Sequence, residues 1–410
     1  MGTTGVWILG GYQSDFARNL SREGLSIADL VQEVVDGALD DAKVDTTDIG
    51  TIHFGNAFGE LFTGQAHLGA MPATINSALW GVPACRHEAA CASGSVAVLA
   101  AMADIEAGRY DAVLVVGAEL ERNVPAAKAP EHLGAAAWIG HEGEEAKFIW
   151  PYLFSAIAEE YDLRYGLDEA HLHAIAELNF RNARSNPLAQ TRNWTFTDRS
   201  FSDDDVANPV VEGRLRRSDC GQITDGGAGV VLASDRFLRD RRCRDHSIPP
   251  RIAGWGHATT GLSLAQKLER SRGLPYVFPE VRRAVQDAFR RAELSGVDDL
   301  DGIETHDCFT ISEYVALDHL GIVGPGEGWK VIEGGDLERD GAIPVNPSGG
   351  LIGTGHPVGA TGVRMLLDAS RQVSGRASGY QVEGARRFAT LNIGGSFTTT
   401  VSFVVEGSGQ

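Results

Sequence analysis

At 410 residues the chain is too long for one simple core and long enough for two or three packed units. With 43% hydrophobic and 22% charged residues it is not a disordered chain, and a formal net charge of −19 argues against a general nucleic-acid or anionic-membrane binder. An anionic ligand stays open, because local basic groups or helix N-termini can hold one within an acidic protein.

A strand is predicted from Val6 to Leu9. Residues 30–58 then carry apolar residues at helical spacing (Val31, Val34, Val35, Leu39), an Asp-rich turn and a short apolar strand running into Gly55-Asn56-Ala57-Phe58. Cys91-Ala-Ser-Gly-Ser95 opens a helix through Val98, Leu99, Met102 and Ile105, and Ala112 to Gly117 reads as a strand. From Glu119 to about Asp225 the pattern changes to prolines, irregular polar sequence and one helical run from Phe154 to Asn182. Such an excursion on an α/β scaffold commonly covers a substrate. A strand from Gly229 to Ala233 closes this half.

The second half repeats the first. A strand from Arg251 to Gly254 leads to residues 280–309, where Val281, Val285 and Phe289 mark a helix, followed by an Asp-rich turn and a strand. This places His306-Asp307-Cys308-Phe309 opposite Gly55-Asn56-Ala57-Phe58. Gly359-Ala-Thr-Gly-Val363 opens the counterpart of the Cys91 helix, and strands follow at Phe388–Leu391 and Thr398–Val404. Two strand-helix-strand-helix-strand units imply two mostly parallel sheets with helices on their faces. The expected division is residues 1–119 with 226–248, an insertion at 120–225, and 249–410.

Four segments carry chemistry. Cys91 directly precedes a helix, where the dipole and free N–H groups favour a thiolate; a buried structural cysteine is the alternative, and His87 upstream reads as structural. In Asn346 to Gly362, glycines surround His356 just ahead of a helix, so its imidazole can take a thiol proton or donate to an oxyanion. Pseudo-twofold folding would bring this helix start to that of Cys91. Glu304-Thr-His306-Asp-Cys308 lies at a strand's C-terminal end, where α/β sheets meet ligands, and offers a second thiol and imidazole. In Leu391 to Phe397, the N–H of Gly394 or Gly395 can complete an oxyanion hole with the N–H of Cys91; read alone, the segment is a turn.

Other chemistries find little support. His171 and His173 face different sides of a helix, so no chelating pair and no metal are expected, and neither a phosphate loop nor a dinucleotide fingerprint occurs. Cysteines at 85, 91, 220, 243 and 308 form no CxxC pair and fit no disulfide framework. No secretory signal, membrane span or peroxisomal address (the chain ends Ser408-Gly409-Gln410) is recognised, so a reducing cytoplasm is the expected compartment.

Cys-x-Ser-Gly at Cys91, His306-Asp-Cys-Phe309, Gly-His356-Pro-Val-Gly-Ala-Thr-Gly362 and Asn392-Ile-Gly394, in this order on a duplicated chain, resemble the thiolase superfamily, and more narrowly its sterol-carrier-protein type. Tyr165-Gly-Leu, Asn182 to Pro187 and Asp219 to Asp225 extend the resemblance over nearly the whole chain. It implies duplicated βαβαβαββ halves in a five-layered α-β-α-β-α core with an inserted loop domain. It assigns Cys91 as the acylated nucleophile and His356 as its activator and an oxyanion-hole member. The N–H groups of Cys91 and Gly394 would form the second hole. The usual Asn-Glu-Ala-Phe and Cys-x-Gly blocks are altered here, and the resemblance moves the acid/base thiol to Cys308, with His306 beside it and in the first hole.

Coenzyme A is implied as co-substrate with acyl-CoA as substrate, no covalently bound cofactor, a homodimer or tetramer, and no appended sterol-carrier domain. The leading reading is cleavage of 3-ketoacyl-CoA to acetyl-CoA or propionyl-CoA in fatty-acid or sterol side-chain degradation. The alternatives are a retro-aldolase or Claisen-condensing enzyme acting with a small partner protein, and a non-catalytic acyl-CoA binder. Trp138, Phe148, Trp150 and Phe154 are expected to pack a loop-domain core, with lining of a bulky acyl pocket as the alternative. Arg239 to Arg244 reads as a solvated turn that can meet a CoA phosphate.

Overall fold

The structure is a computed structural model that describes residues 4–242 and 248–407. Cys243, the end of the Arg239–Arg244 segment and Ser408–Gln410 therefore lie outside the described residues. Eleven strands are present: β1 (Val6–Gln13), β2 (Thr51–Gly55), β3 (Ala84–His87), β4 (Ala112–Glu119), β5 (Val210–Glu212), β6 (Leu215–Arg216), β7 (Gly226–Ser234), β8 (Arg251–Thr259), β9 (Gly302–Thr305), β10 (Arg387–Gly394) and β11 (Thr399–Glu406). Nine of them follow the order β3-β2-β4-β7-β1-β8-β11-β10-β9, while β5 and β6 form a separate hairpin. Among the described residues, Trp7 pairs with Arg251 across the junction of β1 and β8, and Ile8 N donates to Pro250 O (2.8 Å) beside it. Each side of that junction repeats one strand order, and Val345 bridges β9 as β3 pairs with β2.

The expectation of mostly parallel sheets is corrected. β2 runs parallel to β3 and β4, and β9 to β10, but β4–β7, β7–β1, β10–β11 and β11–β8 are antiparallel. A parallel pair needs a crossover connection. β11 instead follows β10 through a tight turn, and β7 returns from the long excursion, so both can reverse.

The helices form three layers. Helix Ile27–Ala42 buries Leu30, Val31, Val34 and Val35 against Ile52, Leu114 and Val116 of the first sheet. Its start is fixed by a capping box between Ser26 and Asp29. Helices Ser93–Glu106 and Thr361–Val373 lie between the sheets, where Val98, Ala101, Val363 and Leu366 share one core with Val115, Val230 and Phe403. Helices Pro279–Arg291 and Thr310–Leu320 cover the second sheet. The single helical run expected from Phe154 to Asn182 is two helices, Ile149–Tyr165 and Glu169–Ala183. Gly166 at φ +80° ends the first, and Asp168 caps the second through Ala170 N.

Glycines set the distance between the two central helices. A Cβ on Gly94 would lie 2.8 Å from Gly359 O, and one on Gly362 would lie 2.4 Å from Ser95 N. The two helix starts touch backbone to backbone, which brings together the residues just ahead of them.

Candidate active site

Cys91 sits on a tight turn ahead of its helix. Ala90 takes φ +50°, and the turn is tied locally: Ala90 N donates to Glu88 Oε1 (2.6 Å), Ala89 N to Ser93 Oγ (2.9 Å), and Ser93 Oγ to Ala90 O (2.6 Å). The N–H groups of Gly395 and of Cys91 itself hydrogen-bond the sulfur. They are outweighed. Burial pushes the thiol up to about 12, with Glu121 and Glu119 adding to the rise, so the resting residue is a neutral thiol. The helix-start argument for a resting thiolate is overturned by desolvation.

Sγ of Cys91 and one ring nitrogen each of His306 and His356 lie within 4.8 Å of one another, the only such convergence of potential metal ligands among the described residues. The two imidazoles meet edge-on with centroids 5.3 Å apart. Their hydrogen bonds give them opposite tautomers. Thr361 Oγ1 donates to Pro357 O (2.9 Å), so at 2.7 Å it accepts from His356 Nδ1–H. Nε2 of His356 therefore keeps its lone pair. Asn392 accepts from Ser95 Oγ through Oδ1 (2.8 Å) and donates from Nδ2 to His306 Nδ1 (3.2 Å), so His306 carries its proton on Nε2. Both Nε2 atoms are buried without a protein partner. Burial is the first cause holding both rings neutral: His356 falls to about 3 and His306 well below its ordinary value, with the Arg364 charge adding to both. One ring is built to accept a proton and the other to donate a hydrogen bond.

Cys308 is buried ahead of helix Thr310–Leu320, its Sγ 3.9 Å from Ser312 Oγ. Burial raises its thiol well above the ordinary value, and proximity to Cys91 raises it further. The strand-end loop is fixed through Asp307, whose carboxylate accepts from Leu351 N (2.5 Å), Ile352 N (3.2 Å) and Asn179 Nδ2 (2.9 Å). Cys91, Cys308 and His356 line one cavity of about 430 Å³. Gly395 also lines it, whereas Gly394 packs so closely on the Cys91 turn that a Cβ there would lie 2.2 Å from Ala89 O. The resemblance assigns the hole to Gly394, but of the two glycines it is Gly395 that lines the cavity and whose backbone favours the Cys91 thiolate.

Phe148, Trp150 and Phe154 line the cavity, the outcome set second to a packed core, although Phe154 also stacks on Phe309 at 4.5 Å. Trp138 stacks on His141 instead. His87 is structural, as read: its Nε2 meets His53 Nδ1 at 2.8 Å, and His53 Nε2 meets Asp104 at 3.1 Å. His171 pairs with Glu333 at 3.0 Å. The sequence reading missed Glu119 and Glu121, which hold the His356 loop by accepting from Gly359 N and Val358 N, each at 2.9 Å. It also missed Cys220 on the cavity wall. The signal for the glutamates was available, since Glu119 ends β4 and Glu121 follows just past it, the same kind of strand end that carries His306.

Comparison with known proteins gives the family. The thiolase N-terminal domain matches residues 6–236, and the thiolase C-terminal domain-like family matches residues 266–407. The chain belongs to the thiolase family. Among relatives of this thiolase, an acetyl-CoA acetyltransferase of Methanothermobacter thermautotrophicus is 32% identical over 91% of this chain and 92% of that protein. Sterol carrier protein 2 of Homo sapiens is 28% identical, covering 97% of this chain and 71% of that protein. The solved Ltp2-ChsH2(DUF35) aldolase superposes with a TM-score of 0.75 at 20% identity over 99% of this chain and 98% of that one, a likeness of fold. No helix among the described residues is long and apolar enough to cross a membrane.

Proposed function

We propose that this thiolase cleaves 3-ketoacyl-CoA with CoA, giving acetyl-CoA or propionyl-CoA and a shortened acyl-CoA through an acyl-Cys91 intermediate. The observation that carries this reading is the convergence of Cys91, His356 and His306, with the Cys308 thiol on the same cavity wall.

The chemistry follows from the protonation states. His356 Nε2 takes the thiol proton as the Cys91 sulfur attacks the 3-keto carbon, and the N–H groups of Cys91 and Gly395 receive the developing oxyanion. The bond between C2 and C3 breaks. The enolate oxygen of the leaving thioester meets His306 Nε2–H, and the Cys308 thiol protonates C2. CoA then enters, gives its thiol proton to the Cys308 thiolate, and attacks the acyl-enzyme carbonyl. Collapse releases the shortened acyl-CoA, and His356 returns its proton to Cys91. The Phe148, Trp150 and Phe154 wall suits an apolar acyl chain, as in fatty-acid or sterol side-chain degradation in the cytoplasm. The exposed start of β3, at Ala84 and Cys85, leaves a sheet edge open for pairing with a second copy, which supports a homodimer.

Mass spectrometry of the intact protein mixed with acetoacetyl-CoA tests the reading. An acetyl adduct on Cys91 is expected, lost with turnover in Cys91→Ala; Cys308→Ala is expected to acylate but turn over slowly. No adduct on wild type, or wild-type turnover in Cys91→Ala, rejects acyl transfer through Cys91. Rapid turnover in Cys308→Ala rejects the acid/base role of the second thiol. A retro-aldolase acting with a small partner protein would leave Cys91 unmodified.

A further inference from the structure

Lys267 is a buried cation with no part in the chemistry above. It lies on helix Leu264–Arg270 and is 7% exposed. Its Nζ donates to Ser396 O, to Ser396 Oγ (2.9 Å) and to Thr398 Oγ1 (2.8 Å). All three acceptors belong to the turn joining β10 to β11. Glu142, the carboxylate that favours its charge, spends its own oxygens on Trp138 N and Leu264 N (both 3.0 Å). Arg164, from helix Ile149–Tyr165, bonds Ser271 O at 3.1 Å, just past the end of the same helix. Burying an ammonium without a paired carboxylate is expensive, and an apolar side chain would fill the space at lower cost. Burial indeed pulls the amine down to about 7.

What the clasp holds is a strained turn that is anchored at its far end, where Thr260 N donates to Thr398 O (2.8 Å) and Phe397 stacks on Phe278 at 4.0 Å. Gly395 stands at φ +62° and Phe397 at φ +59°, the latter a bulky residue in the left-handed region. Within itself the turn has the backbone ties Phe397 N to Gly395 O (2.9 Å) and Thr398 N to Gly394 O (3.0 Å), and its Gly395–Ser396 side is held from outside by Lys267. Gly395, in this turn, lines the cavity together with Cys91, and its backbone N–H is one of the groups that favour the thiolate. We propose that Lys267 is a positioning residue whose ammonium clasps the Ser396–Thr398 turn and thereby keeps the Gly395 N–H aimed at the reacting centre on Cys91. The catalytic consequence rests on the acyl-transfer reading; the clasp itself does not.

The test compares wild type with Lys267→Met and Lys267→Arg by two readouts, steady-state turnover of acetoacetyl-CoA with CoA and amide hydrogen exchange of the peptide over residues 392–398. Losing one well-placed oxyanion donor costs about 10²–10³ in kcat, so a loosened donor is expected to cost roughly tenfold with KM little changed. Exchange in the turn should speed up in Lys267→Met, and Lys267→Arg should recover part of both effects. A folded Lys267→Met with wild-type exchange, or with faster exchange but wild-type kcat, overturns the proposal. If wild type forms no acyl-Cys91, the acyl-transfer reading fails and exchange alone decides the clasp. If Lys267→Met does not fold, Thr398→Val replaces it. That variant removes one acceptor, and unchanged exchange and turnover in it would equally overturn the proposal.

Discussion

The turn that presents Cys91 and the turn that presents His356 stand ahead of the two central helices, at matching places in the two halves, and they are held by different means. Around Cys91 the ties of the turn itself are local, among Glu88, Ala89, Ala90 and Ser93, and Gly395 reaches the sulfur from the other half. Around His356 the ties come from far along the chain, with His356 N donating to Thr224 Oγ1 (2.9 Å), Val358 N to Glu121 and Gly359 N to Glu119. The layers behind them differ as well. His53 on β2 joins His87 and Asp104 in a partly solvated chain, whereas Glu304, opposite it on β9, accepts from Ser348 and pairs with Arg364 in full burial. The contrast matches the two tasks. A nucleophile must be reachable and needs only a defined turn, while an imidazole acting as base must keep one tautomer, which the nearby Thr361 sets, on a loop whose backbone the distant anchors fix.

The largest break in that contrast should come from Arg364. It lies between Glu304 (3.1 Å) and Asp368 (2.9 Å), all three fully buried, and the matching position of the other central helix is Val96. Arg364→Met strands two buried carboxylates and is expected to cost about 3–5 kcal/mol, whereas Val96→Met should cost less than about 1.5 kcal/mol. Urea midpoints of the two variants measure the difference. Equal losses would mean that the buried charge network is not what anchors the second half.

The next effect is a slope. With the thiol at about 12 and His356 at about 3, the pair rests uncharged at neutral pH. The folded thiol is raised, so its thiolate grows as pH rises toward that value. Iodoacetamide alkylation of Cys91 without substrate should therefore speed up about tenfold per pH unit from pH 6 to 10. Peptide mapping of quenched samples gives the rate. A plateau across this range would instead reveal a preformed thiolate–imidazolium pair, and with it an ordering of the two turns that burial does not set.

How much of this was legible beforehand follows the same division. The duplication, the central helices and the meeting of Cys91 with His356 were readable because they rest on periodicity and on glycine-rich helix starts, which are local properties. Cys308 and His306 were readable as groups at a strand end. The reversal of β7 was not, because direction after a long excursion depends on where the chain returns, while that of β11 follows from the tight turn after β10. The neutral thiol was missed for a similar reason: the helix start is visible in sequence, but the desolvation that outweighs it comes from elements hundreds of residues away. The resemblance singles out Gly394 through Asn392-Ile-Gly394, whereas the fold packs Gly394 against Ala89 O and leaves Gly395 on the cavity wall. Nothing in the sequence singles out Lys267, whose burial appears only once the turn after β10 is folded over it.

The smallest effect is the most discriminating about the Cys91 turn. Ala90 holds φ +50°, a region that costs an L-residue about 1–2 kcal/mol, yet the ties around it use its backbone N–H and carbonyl and not its side chain. Ala90→Gly removes that strain and adds back about 0.5–1 kcal/mol of chain entropy in the unfolded state. The net change in stability should stay under about 1 kcal/mol, with acylation of Cys91 preserved; thermal unfolding and the acetoacetyl-CoA adduct report the two. Gly355, ahead of His356, offers no such freedom, because at φ +116° a Cβ would lie 2.9 Å from Thr224 Cγ2. If Ala90→Gly nonetheless abolished acylation, the methyl group on the cavity wall would be holding the sulfur in place, and the Cys91 turn would depend on side-chain packing as much as on its local hydrogen bonds.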